Sequence, residues 1–200
     1  MAAPYEHILD FWFGPHSGDG VTANRQAGLW WSKDPAVDAD IRTRFEKLIQ
    51  AAADGQHADW HQDARGRLAL IILLDQFSRN IWRDTPKAFR FDALARQWCK
   101  EGLAARQDTQ LRPVERVFFY LPLEHSEDRD DQQRSVTLFR ELAASAPTDA
   151  MKTFAFFLNY ALQHQDIIEK YGRFPHRNKI LGRESTPEET AFLKEPGSSF

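Results

Sequence analysis

Residues 64–80 read Ala-Arg-Gly-Arg-Leu-Ala-Leu-Ile-Ile-Leu-Leu-Asp-Gln-Phe-Ser-Arg-Asn, and whether they form a strand or a helix settles the class of the whole chain. From Leu68 to Leu74 the stretch is aliphatic without a break. A short run of that kind suits either a buried strand or a buried helix. Asp75, Gln76 and Arg79 carry the segment onward with no turn signal, and the segments on either side are punctuated as helices, so a buried helix is the better reading. No second segment shows the alternating pattern of a strand. The chain is expected to be all-α.

The punctuation elsewhere is helical. Asp34-Pro35 pairs an N-cap residue with proline at the first helical position, and a helix to about Asp54-Gly55 is expected, with Ile41, Phe45, Leu48 and Ile49 on one face. Thr85-Pro86 repeats the signal and predicts a helix to about Arg106. Arg112-Pro113 opens a shorter one expected to run through Tyr120 and stop at Pro122. Glu127 to Ala144 and Thr148 to Tyr171 read as two more, the second closed by Gly172. Thr186-Pro187-Glu188-Glu189 is a capping box. Gly14 to Gly20 is a loop, no composition shift marks a linker, and no 34-residue self-similarity is visible. One helical domain over 1–200 is expected.

Composition narrows the classes of function. With 42% hydrophobic and 28% charged residues the chain can bury a substantial core, which excludes wholesale disorder. The net charge of −3 gives no global field for nucleic acid or an anionic membrane. The single Cys99 excludes an internal disulfide and a cysteine zinc site, and fits a reducing compartment. The first residues lack a signal peptide's basic and apolar regions, and the longest aliphatic run is too short to span a bilayer. A cytoplasmic location is expected.

Four groups of residues could carry chemistry. Asp75 and Arg79, four apart, share a helix face and are expected to pair; Arg79, Asn80 and Arg83 could also face a cleft. Glu124-His125 places a histidine among carboxylates, suited to proton transfer or metal ligation, while Ser126, Glu127 and Asp128 read as the cap of the next helix. His164 interrupts an apolar stripe through Phe157, Tyr160, Ala161 and Ile168, and is either a hydrogen-bonded core histidine or a site residue. Gly172 to Arg183 holds Arg173, His176, Arg177, Asn178, Lys179 and Arg183 with no acidic residue of its own. Such a loop either binds an anion or is held by carboxylates from elsewhere. His57 and His61 lack the glutamate of a zinc hydrolase motif and are expected to be exposed.

Three blocks together resemble a known family. Leu74-Asp-Gln-Phe-Ser-Arg-Asn80, Tyr120-Leu-Pro-Leu-Glu-His-Ser-Glu-Asp128, and Gly172-Arg-Phe-Pro-His-Arg-Asn178 with Leu181-Gly-Arg-Glu-Ser-Thr-Pro-Glu-Glu189 are similar to the bacterial family called domain of unknown function 924. Ile8-Leu-Asp-Phe-Trp-Phe13 and Trp30-Trp31 fit it too. The resemblance implies a tetratricopeptide-like antiparallel helical bundle; it supplies no reaction and no cofactor. Ser78 stands where that family usually has proline, and Gln163 and Gln165 flank His164 where cations are common.

The motif residues suggest a pocket for a small anionic molecule. In this reading His125, Glu124, His164 and His176 are the catalytic candidates, Arg79, Asn80, Arg173, Arg177, Asn178 and Arg183 the ligand donors, and Asp75 a structural ion partner. Three alternatives stand beside it. One is a clasp in which Arg173 and Arg177 pair with Asp75 and Glu124. Another is a non-catalytic scaffold for a peptide or protein partner. The third is a metal site of His125, His164, His176 and Glu124.

Overall fold

The computed structural model describes residues 3–198, so the outermost two residues at each end of the expected 1–200 domain lie outside the described residues. The order is α1 (Glu6–Phe13), α2 (Asp19–Trp31), α3 (Pro35–Ala53), α4 (Ala64–Ile71), a π-helical turn (Ile72–Phe77), α5 (Ser78–Ile81), α6 (Asp92–Ala104), α7 (Pro113–Glu124), α8 (Arg129–Ala144), α9 (Met151–Tyr171) and α10 (Pro187–Phe192). Short 3₁₀ turns lie at Ala58–Gln62, Pro86–Phe89, Asp108–Gln110 and Pro175–Arg177. The described residues contain no strand.

Residues 64–80 form the central rod. Leu68 to Leu74 are at most 1% exposed, and α1, α3, α6 and α7 pack around the rod from different sides. A helix apolar all round must be surrounded in this way. Burying each such aliphatic side chain is worth about 1.5–3 kcal/mol over leaving it in water. The rod is not one regular helix, because its middle turn is π-helical. One extra residue in a turn rotates the residues after it by about 100° relative to those before it.

Local signals explain most boundaries. Asp34 accepts from the Ala36 amide at 2.8 Å, and Thr186 and Glu189 form the expected capping box. Gly172 ends α9 with φ +69°, a left-handed conformation that costs glycine little. Several expectations need correction. The helix expected from Thr85 begins only at Asp92: Phe91 turns inward against Trp82, and the Pro86 signal makes just a 3₁₀ turn. Pro122 does not stop α7. The lost amide bond is offset by burial of Phe118, Phe119, Leu121 and Leu123, and the helix runs on to Glu124. The cap of α8 is Asp128, which accepts from the Asp130 and Asp131 amides; Ser126 instead bonds Asp131, and Glu127 points to the loop after α9. His57 and His61 are half-buried rather than exposed, packed on Trp60 and Trp98 with centroids 4.4 and 4.5 Å apart.

Helices α8 and α9 run antiparallel, since Arg129 at the start of α8 donates to the Glu169 carbonyl near the end of α9. Helices α7 and α9 run parallel. Phe118 of α7 and Phe157 of α9 both pack on Trp31, and further along Glu124 of α7 meets His164 of α9. This parallel pair positions the site.

Candidate functional site

A cavity of about 600 Å³ opens between α2, the end of the central rod, α7, α9 and the loop after α9. Its size is in the range of small-molecule pockets. Of the sequence candidates, Arg79, Asn80, Arg83, Glu124, His125, His164, His176 and Arg177 line it, and Asp75 lies directly behind.

Asp75 is fully buried in the π turn. Its Oδ1 lies 2.8 Å from His125 Nδ1 and 3.0 Å from Arg79 Nη1. Burial pushes its carboxyl upward, but Arg79 and His125 outweigh this and hold it well below the usual carboxylate range. The charged carboxylate therefore fixes the proton of His125 on Nδ1. The Nε2 of His125 has no hydrogen bond among the described residues. Burial, and then the Arg79 charge, depress the affinity of His125 for a second proton, so it rests as a neutral base.

Glu124 and His164 form a different pair. Glu124 is 4% exposed, and burial, with Asp75 nearby, pushes its carboxyl up to about 8. His164 Nδ1 donates to the Tyr160 carbonyl at 2.8 Å and lies 3.3 Å from Glu124 Oε1. Burial keeps His164 neutral. The contact is thus between a neutral acid and a neutral imidazole at ordinary pH, not an ion pair. His176 is also held neutral by burial, its proton affinity pushed down to about 3.

The arginines divide by how well each is satisfied. Arg79 makes a two-pronged pair with Asp92, both N···O distances 2.9 Å, as well as its contact with Asp75. Arg83 makes a similar pair with Asp38 at 2.9 and 2.8 Å, and Asn80 donates to the same carboxylate at 2.8 Å. Arg177 differs. It is 6% exposed and lies between the Phe89 and Phe174 rings, 4.9 and 4.4 Å from their centroids. It donates to the His125 carbonyl at 3.0 Å and sits 3.8 Å from Asp92. Its Nε is buried without a hydrogen-bond partner. Desolvation, and then the neighbouring Arg79, push it down to about 10.

The other polar residues of the loop turn away from the cavity. Arg173 grips Glu189 at 2.6 and 2.8 Å, and Asn178 donates to Ser185 and Glu189. Arg183 grips Glu127 at 2.7 and 2.9 Å. The carboxylate partners are thus Glu189 and Glu127, not the Asp75 and Glu124 that the clasp reading expected. One loop is a clasp on its outer side and a cavity wall at His176 and Arg177. Among the described residues no cluster of three or more His, Cys, Asp or Glu side chains is arranged to hold a metal ion.

The sequence patterns do not mark Asp38, Asp92, Trp31 or Phe156 as part of this site. The two aspartates lie in other helices, Asp92 13 and Asp38 45 residues from the arginine each pairs with, and no i,i+4 pattern links them. Phe156 carries a signal: it is a large aromatic off the buried stripe of α9, and it is 48% exposed.

Fold and site together define an all-helical protein with a mixed polar and aromatic cavity. Residues 8–197 match the family described as "Bacterial protein of unknown function (DUF924)", and the chain belongs to that family. A solved structure of a protein of unknown function from Agrobacterium tumefaciens is similar: 38% identity, TM-score 0.81, covering 96% of this chain and 97% of that one. No curated protein matches the chain. No helix is long and apolar enough to cross a membrane among the described residues.

Proposed function

We propose that the cavity binds a small molecule through an anionic group received by Arg177. The observation that carries this reading is the incomplete satisfaction of a buried guanidinium. A guanidinium has five donors, and burying one without partners for them is costly. Here one hydrogen bond, two ring faces and a carboxylate 3.8 Å away, beyond hydrogen-bond distance, are what it has. An anion in the cavity supplies what is missing, in the two-pronged geometry arginine favours.

The groups beside Arg177 suit proton transfer on the bound molecule. His125, its tautomer set by Asp75, presents a lone pair as base, and Glu124, neutral near pH 7, is a proton donor. His164 and His176 are neutral polar contacts in this scheme, and Arg79 and Asn80 line the floor with their charges and donors already engaged. The test is melting temperature against a panel of small cellular anions, for the native chain and for Arg177→Gln. The reading expects at least one anion to stabilise the native chain and not the variant. Equal stabilisation of both would refute it.

A further inference from the structure

Two helices set a polarity gradient along the cavity. On α7 the lining residues run Val117, Leu121, Glu124; on α9 they run Phe157, Tyr160, His164. Because the helices are parallel, both change from apolar to polar in the same direction. From Phe157 to His164 the axial rise is about 10 Å. The apolar end is widened by Trp31 and Phe156, which remain 45% and 48% exposed. Single exposed apolar groups are ordinary, but two large rings at one cavity mouth mark a surface for an apolar partner group.

Charge at the polar end is nearly balanced. Arg79 is offset by Asp75 and Asp92, and Arg83 by Asp38. Arg177 is the under-compensated cation of this end, with Asp75 and Asp92 close behind it. A dianion would meet those carboxylates with just one unspent guanidinium to receive it. A monoanion matches the charge on offer. The volume, about 600 Å³, far exceeds what an inorganic ion fills.

Resting on the anion-binding reading above, we infer that the ligand is a singly charged carboxylate with an apolar body, its carboxylate on Arg177 and its body between Trp31 and Phe156. A doubly charged phosphate monoester would meet no second unspent arginine at this end.

The experiment is titration calorimetry of the full chain with four probes: phenylacetate, its uncharged analogue phenylethanol, acetate and inorganic phosphate. Phenylacetate is expected to bind at least about tenfold more tightly than each of the others, since a charge-assisted hydrogen bond and a buried ring each carry about that factor. Arg177→Gln should remove the advantage of phenylacetate over phenylethanol, and Phe156→Ala its advantage over acetate. The Phe156 side chain is half exposed, so that variant should fold. Phosphate binding as tightly as phenylacetate, and lost in Arg177→Gln, would overturn this inference and leave the anion-binding reading standing. Phenylethanol binding as tightly as phenylacetate overturns both. Failure of phenylacetate to bind overturns the inference, and if phosphate and acetate also fail, the anion reading falls with it.

Discussion

Replacing Glu124 with glutamine should make the protein more stable as pH rises, and the amount can be worked out. In the folded protein the carboxyl titrates at about 8 against an ordinary 4.5. The folded value is the higher one, so the folded state holds its proton more tightly than the unfolded state does. The native residue is therefore harmless at low pH, and its cost accumulates as pH climbs from the ordinary value towards the raised one. Each pH unit of that climb corresponds to about 1.4 kcal/mol, so between pH 5 and pH 7 the native chain loses about 2.5 kcal/mol through this one group. Glutamine is isosteric with the protonated acid and does not titrate. Near pH 5 the two proteins should differ by less than about 1 kcal/mol. By pH 7 the variant should melt about 5–10 °C above the native chain relative to the pH 5 comparison, at about 2–4 °C per kcal/mol for a chain of this size. Thermal melting at both pH values is the assay, and contributions of other groups cancel in the difference. A native-to-variant difference that stays flat with pH would show that Glu124 is ionised in the folded state, and would remove it as a proton donor.

Three more substitutions probe the same geometry. Asp75→Asn strips the charge that orients His125 and half compensates Arg79, a loss of about 2–4 kcal/mol with Asp92 still in place, read as a fall of about 5–15 °C in melting temperature. Because the folded carboxyl titrates lower than the unfolded one, that gap is present at neutral pH and should narrow below about pH 4; a gap that widens there would refute the assignment. Arg183→Ala cuts the two-pronged bond to Glu127 and a bond to the Phe174 carbonyl, for about 1–2 kcal/mol by thermal melt, and an unchanged melting temperature would argue against the clasp. Gly102→Ala places a methyl 2.4 Å from Phe119 Cζ and 2.6 Å from Arg67 Cδ, and should destabilise by about 1–3 kcal/mol in denaturant titration; a neutral effect would mean that α6 and α7 can separate freely.

The all-helical fold was legible because its signals are local. Asp34-Pro35, Gly172 and the Thr186 capping box each act within a single turn, and the structure places each where the pattern put it. Pro122 misled for the same reason: a local rule about an amide cannot weigh the burial of four large neighbours. The site was half legible. Residues such as His125 and Arg177 stand out by type, whatever they touch. Their partners do not, because the Arg79–Asp92 and Arg83–Asp38 pairs arise only when separate helices dock. The loop from Gly172 shows the limit most clearly. Its cations look alike in sequence, yet Arg173 and Arg183 are consumed by Glu189 and Glu127 while Arg177 faces the cavity.

The π turn at Ile72–Phe77 gives chain length a meaning here that composition does not have. Deleting any one of its residues would leave a regular α-helix, with no loss of helix-forming quality. The same deletion would swing Arg79, Asn80 and Arg83 by about 100° about the rod, away from the positions in which Asp38, Asp92 and the cavity receive them. A chain one residue shorter at this point would keep a sound core and lose the cavity floor. When members of this family are aligned, a gap within the π turn should therefore separate proteins that retain the site from proteins that keep only the bundle.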